Sequence, residues 1–358
     1  MRKPMSTFLA LLVALIGSGA AAQTTQIKIA TLAPENSQWM SEFRAGAKEI
    51  RERTEGRVQL KFYSGGVQGN ESKVLRKIQI GQLQGGTFAP TDFQKQFPDL
   101  NIYGLPFVFR SEAEVDYVRS FMDAKLEAGF DRLGFETFGF ASGGFAIVMS
   151  NTPVRGYEDL KGKKVWLPEG DLISYEAMKA LQLAPVALPM TDVLTGLQTG
   201  LIDMVAIPPV VALALQWHTK VKYVTQLPVL YAMGFMAISE KALARISDSD
   251  QAVIDSVLSS IYKSVDEASA ADSSNAIDAL LNVGLQNVEP RDGEFEKISA
   301  IMRETNRDMA ERGMFSTELL DEMQQHLRDY HERKDDVDGE KSGLVVAPGA
   351  ASVAIGSP

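Results

Sequence analysis

The chain has 358 residues, 45% of them hydrophobic and 23% charged, the balance of an ordinary globular protein and enough length for two domains with cores of their own. Lysine and arginine number 36 against 46 aspartates and glutamates, a formal charge of −10, and no basic stripe offsets it; nucleic acid and anionic membrane surfaces are excluded as expected partners. There is no cysteine, which excludes a disulfide, a thiolate metal site and a lipid-modified N-terminal cysteine.

Arg2 and Lys3 precede an apolar run from Phe8 to Ile16, and small residues end in Ala20-Ala21-Ala22 before Gln23. That order predicts a secretory signal peptide over residues 1–22, cleaved at an A-x-A site. Its apolar part is too short to span a bilayer, which takes roughly 20 residues. The expected location is therefore periplasmic, as a soluble protein without a lipid anchor.

Ile27, Ile29 and Thr31 alternate as a strand, and Trp39, Met40, Phe43, Ala47 and Ile50 share a helix face ended by Gly56. Val58, Leu60 and Phe62 then alternate as a second strand. Strand, helix and strand in succession predict a βαβ unit with parallel pairing and a right-handed crossover. A helix over Val74–Ile80 and a short strand near Gly86–Phe88 follow. Phe135–Phe140 and Ala146–Ser150 read as strands flanking Gly143-Gly144. Strands at Lys164–Leu167, Val186–Leu188 and Met204–Ile207 alternate with helices at Asp171–Leu181 and Asp192–Thr199, and Pro208-Pro209 stops the last strand. Residues 251–280 read as one long helix, with further helices at 294–312 and 316–334. The final stretch, 341–358, is almost uncharged and is expected to be disordered. No linker separates two contiguous domains, so the alternation suits two α/β lobes joined by chain crossings.

Catalytic chemistry is hard to assemble from this chain. The histidines, His218, His326 and His331, have no metal-ligand spacing, and no catalytic metal or cofactor site is expected. Ser142-Gly143-Gly144 lacks the context of a nucleophile elbow. Ser64-Gly65-Gly66-Val67-Gln68-Gly69 follows a strand but lacks the lysine of a phosphate cradle, so a flexible turn is the simpler reading. The expectation is a binding protein with no catalytic residues.

Several segments together resemble the extracytoplasmic binding proteins of tripartite ATP-independent periplasmic (TRAP) transporters, the dicarboxylate-binding-type family. They are Ile27 to Trp39, the stretch LKFYSGGVQG from Leu60 to Gly69, and Gly104-Leu105-Pro106-Phe107-Val108-Phe109. Most specific are DLKGKKVWLP, from Asp159 to Pro168, and MTDVLTGLQTGLIDMV, from Met190 to Val205. The resemblance, over about residues 26–330, implies an α/β, two-lobed periplasmic-binding-protein fold with a ligand cleft between lobes and a long helix spanning both. Lobe one would be residues 27–143 plus 234–272, and lobe two 144–233 plus 273–330. It also implies a small-molecule ligand captured by lobe closure and delivered to small and large membrane subunits.

The chain departs from the family where a carboxylate is usually clamped. In the K-[ILV]-R-x-P motif the arginine position holds Trp166, whereas a guanidinium would donate two parallel hydrogen bonds to a carboxylate. A second arginine position falls on Ala146, an asparagine position on Ile207 and an aromatic position on Met190; the first-lobe contact stretch reads Thr87-Phe88-Ala89. The expected cleft is lined by Trp166, Ile207, Met190, Phe88, Ala89, Phe145, Ala146, Trp39 and Met233, suited to an apolar or amphipathic ligand. The resemblance includes a branch for hydrophobic ligands, sometimes with a helical-repeat accessory protein. Two alternatives stay open: an organic acid held by Arg44, Arg155 or Lys163, and a ligand-sensing partner of a signalling receptor. Asp171 is most simply the N-cap of the helix that follows it.

Overall fold

A computed structural model of the chain describes residues 24–343, with side chains described to Lys334. The predicted signal peptide and most of the predicted disordered tail lie outside the described residues. No described helix is long and apolar enough to cross a membrane.

The N-terminal βαβ unit forms as its periodicity predicts. Strand β1 (Thr25–Ala30) pairs in parallel with β2 (Val58–Tyr63), residue by residue from Thr25↔Val58 to Ala30↔Tyr63, and then with β3 (Gly85–Phe88). The crossovers are α1 (Gln38–Arg53) and α2 (Glu71–Gln79). Each starts where a polar side chain can take a free backbone donor: Ser37 accepts from the Met40 amide and Asn70 from the Lys73 amide. Helix α3 (Glu112–Glu127), capped by Ser111, and the short strand β4 (Phe135–Thr137) follow.

The chain then passes into the second half through β5 (Ala141–Ser150). Helix α4 (Tyr157–Leu160), β6 (Lys164–Pro168), α5 (Leu172–Ala180), β7 (Ala184–Leu188), α6 (Val193–Thr199), β8 (Met204–Ile207) and α7 (Pro209–Ala214) complete a second, mostly parallel wound unit. The return is a single 17-residue strand, β9 (Tyr223–Ser239), which pairs antiparallel with β5 along one half and with β3 along the other. After α8 (Glu240–Leu243), the 35-residue helix α9 (Asp248–Asn282) runs about 50 Å. Strand β10 (Gln286–Asn287) and helices α10 (Glu294–Glu311) and α11 (Thr317–Gly343) close the chain. The strands follow one path, β2-β1-β3-β9-β5-β8-β6-β7, with β4 and β10 also pairing with β9.

Each half buries both faces of its share of the sheet, as wound α/β units must. In the first half, Ile27 and Ile29 meet Met40 and Phe43 of α1 on one face, while Val74, Leu75 and Ile78 of α2 and Val115, Val118 and Met122 of α3 cover the other. In the second half, adjacent β6 residues serve opposite cores: Val165 packs with Ala177 of α5, Trp166 with Val193 and Leu197 of α6. Helix α9 belongs to both halves. Its Ile254, Val257, Leu258 and Tyr262 pack into the first, and its Leu280 into the second. A side chain at Gly46 of α1 would run into Ile261, so this glycine permits the close approach of α1 to α9.

Several sequence readings change. Phe135–Phe140 is a strand only as far as Thr137. Gly143 and Gly144 do not separate two strands but lie inside β5, at a register shift between Ser142 and Gly144 where Gly144 takes φ +80°. The periodicity marked neither α3 nor β9. Strand β9 is hidden by Pro228, which falls in the irregular stretch between the pairs Val148↔Thr225 and Ala146↔Leu230, where a missing amide donor disturbs no regular ladder. Helix α11 also carries three residues of the predicted tail, ending at Gly343.

Candidate functional site

The carboxyl ends of parallel strands from both halves point at the same space, the usual place for a ligand in open α/β sheets. Strand β3 ends beside Ala89, β6 at Pro168 and β8 at Ile207-Pro208, and all four residues line a cavity of about 370 Å³. Its floor is the pair of crossing strands, through Ser142, Ala146 and Val148 of β5 and Tyr231 and Met233 of β9. Trp39 from the first turn of α1 and Val265, Ser269, Asp272 and Ser273 from α9 form a further wall.

Of the expected residues, Trp166, Ile207, Met190, Ala89, Ala146, Trp39 and Met233 come together on this lining. Trp166 is 3% exposed, stands edge-on to Trp217 with ring centroids 5.1 Å apart, and donates from Nε1 to the Leu188 carbonyl at 3.0 Å. With its one polar hydrogen taken, the indole offers the cavity only apolar surface. Trp39 is half-buried, edge-on to Phe43 and Tyr262.

Phe88 and Phe145 do not line the cavity. Phe88 turns into the first-half core against Phe93, 5.2 Å between ring centroids, leaving Ala89 at the cavity. Phe145 packs edge-on to Tyr231 at 5.8 Å. The β5 bulge sets which face each later residue takes, so Ala146 and Val148 look into the cavity and Phe145 and Ile147 look away.

Among the described residues, no lysine, arginine or histidine lines the cavity; its ionisable side chains are Asp171, Asp272 and Tyr231. Asp171 is buried, and its Oδ1 accepts from the Ser174 amide at 2.9 Å as the cap of α5. Burial pushes its carboxyl above the usual range, against the opposing hydrogen bonds from Ser174. The Tyr231 hydroxyl is pushed up to about 12, mainly by burial. The three candidate cations lie elsewhere. Arg44 is paired with Glu35 at the surface, Arg155 is exposed, and Lys163 donates to Thr152 Oγ1 at 2.8 Å. A buried cation does sit behind the floor: Arg119 donates to Tyr231 Oη at 3.0 Å, but Asp123 at 3.0 Å and Asp266 at 2.8 Å compensate it. His218 Nδ1 lies 3.2 Å from the Ala212 carbonyl, and the described residues contain no cluster able to hold a metal ion.

The polar wall on α9 was not anticipated. Ser269, Asp272 and Ser273 stand at i, i+3 and i+4, one face of a helix, but in the sequence such a trio reads as an ordinary solvated face.

Two wound α/β halves, joined by β5, β9 and α9 around a shared cavity, define a two-lobed solute receptor. The chain belongs to the bacterial extracellular solute-binding proteins, family 7, whose family model matches residues 29–312; these are TRAP-type periplasmic binding proteins, not enzymes. The structure is similar to that of a sugar-acid-binding protein from Advenella mimigardefordensis in complex with galactonate, with TM-score 0.80 at 16% identity over 86% of this chain and 99% of that one. It is also similar to a TRAP binding protein from Haemophilus influenzae with bound L-gulonate, with TM-score 0.78 at 18% identity over 85% of this chain and 100% of that one. In sequence, the Escherichia coli 2,3-diketo-L-gulonate-binding periplasmic protein is 26% identical over 159 residues, 43% of this chain and 47% of its own length. The chain thus spans about half the length of that relative.

Proposed function

We propose that this protein captures an apolar or amphipathic solute by closing its two lobes, and hands it to the small and large membrane subunits of a TRAP transporter. The observation that carries this reading is the absence of any lysine, arginine or histidine from the described cavity lining, with Trp166 at the family's arginine position. A buried carboxylate without a charged partner is strongly disfavoured, whereas Trp166, Ile207, Met190 and Met233 make an adaptable apolar surface. The protein acts in the periplasm after cleavage behind Ala22, and a helical-repeat accessory protein is a further partner. The lobe division of 27–143 plus 234–272 and 144–233 plus 273–330 fits the passage of the chain through β5, β9 and α9. The packing of Leu319, Leu320 and Met323 of α11 with the α3 core favours moving 317–330 to lobe one.

The competing reading is a sugar acid, supported by the galactonate and L-gulonate in the similar structures. To decide, the protein is purified from its native host, denatured, and the extract analysed by mass spectrometry for lipids and polar acids alike. A stoichiometric apolar or amphipathic molecule is expected. A stoichiometric sugar acid or dicarboxylate would end the apolar reading.

A further inference from the structure

The cavity has two chemically different ends. At one, it continues past the ends of β6 and β8 and under the second-half sheet. Val165 and Met204, on the opposite sheet face from Trp166 and Ile207, line it together with Ala177 of α5 and Leu181, which caps that helix. Successive strand residues point to opposite faces, so one cavity reaching both sets must wrap around the strand ends. That shape suits an extended chain better than a compact ring.

At the other end, α9 presents Ser269, Asp272 and Ser273. Ser269 donates to Ser142 Oγ at 2.7 Å, and that oxygen also accepts from the Gly144 amide at 3.0 Å. Ser273 Oγ is buried with no hydrogen-bond partner among the described residues, an uncommon state for a buried hydroxyl. Gly144 leaves it room, since a side chain there would collide with that oxygen. Asp272 is half-buried beside it and forms no ion pair among the described residues. With Asp171 engaged as a cap, Asp272 is the carboxylate this cavity can offer to a ligand.

We propose that the solute is an elongated amphiphile whose hydrogen-bond-donating, non-anionic head, an amine or a hydroxyl, sits at Asp272 on the α9 strip, with its apolar tail running under the second-half sheet towards Leu181. This rests on the apolar reading above and specifies the end of the ligand it leaves open. An anionic head would meet Asp272 with no cation among the described lining residues to offset the repulsion.

The test is isothermal titration calorimetry at pH 7 with three probes of equal chain length: octylamine, 1-octanol and octanoate. Octylamine and 1-octanol should bind, and octanoate should bind about tenfold more weakly or worse, as expected for like charges placed together. Asp272→Asn should cost octylamine about tenfold while leaving 1-octanol nearly unchanged; an unaltered melting curve shows that the variant is folded. If it does not fold, the wild-type series decides alone. Octanoate binding as well as octylamine, or octylamine indifferent to Asp272→Asn, overturns the head placement and leaves the apolar cavity standing. Failure of all three probes overturns both, and gluconate binding in their place would install the sugar-acid reading.

Discussion

Trp166→Ala measures how far the residue at the arginine position serves the fold as well as the cavity. The indole is 3% exposed, rests edge-on against Trp217 and donates to the Leu188 carbonyl at 3.0 Å. Truncating a buried aromatic to alanine costs about 3–5 kcal/mol through lost transfer energy and the space left behind. Stranding the Leu188 carbonyl adds about 1 kcal/mol. Because part of the indole borders an existing cavity of about 370 Å³, fewer neighbours lose contact than in a closed core, which places the expected loss near 3 kcal/mol. Trp166→Phe keeps a ring against Trp217 and loses mainly the hydrogen bond and some volume, for about 1–2 kcal/mol. Urea unfolding followed by circular dichroism, with m-values compared between variants, reads both numbers. An alanine variant losing less than about 1 kcal/mol would show that the indole is not packed as described. Equal losses for alanine and phenylalanine would refute the partition between ring contact and hydrogen bond.

Arg119→Ala should destabilise by about 2–3 kcal/mol in a thermal melt, below the full cost of unpairing a buried ion because Asp123 and Asp266 are 25% and 28% exposed. A loss under about 1 kcal/mol would mean solvent already screens the pair. Gly144→Ala forces a side chain into φ +80° and against Ser273, for a loss of about 1–3 kcal/mol; an unchanged melting temperature would remove the need for a glycine at the β5 bulge. Asp92, whose Oδ2 accepts from the Ala89 amide at 2.8 Å, has its carboxyl held well above the usual range by burial first and the charge of Glu71 second. A group raised in the folded state contributes stability fully below its unfolded value of about 3.9 and loses it as pH rises through the folded value. Wild-type stability should therefore fall with rising pH across that window, while Asp92→Asn, unable to ionise, should show a flatter profile. Identical slopes in melts taken across the pH series would acquit Asp92.

The legible parts of this fold were those whose pattern is local. Ile27 and Ile29 in β1, the apolar stripe of α1 and the run Met204–Ile207 announce their elements because one period repeats and polar caps or prolines bound it. Strand β9 stayed hidden because its two halves pair with different partners, so its residues obey no single alternation, and Pro228 breaks the pattern where the ladder is irregular. Helix α3 mixes buried Val115, Val118 and Met122 with a buried Glu114 and Arg119, which blurs its stripe.

The same division holds at the cavity. Trp166, Ile207 and Met190 were readable as candidates because motif position places them on or just after β6, β8 and β7, strands whose carboxyl ends face the cleft. The missing arginine was likewise visible, since it is a matter of identity at one position. Which way Phe88 and Phe145 point was not: Phe88 is turned inward by the core it meets at Phe93, and Phe145 follows the β5 bulge, which resets the face of the residues after it and arises from pairing with a strand some 90 positions away. Nor could local pattern show that no cation of the described residues reaches the lining, or that Ser269, Asp272 and Ser273 of α9 do. The chain's composition and periodicity determined the wound α/β halves and the apolar character of the cleft residues, because those depend on neighbours along the chain. The cavity's charge, its reach under the second sheet and its polar wall were decided by tertiary structure alone, because they depend on which distant side chains the crossing strands and the long helix bring face to face.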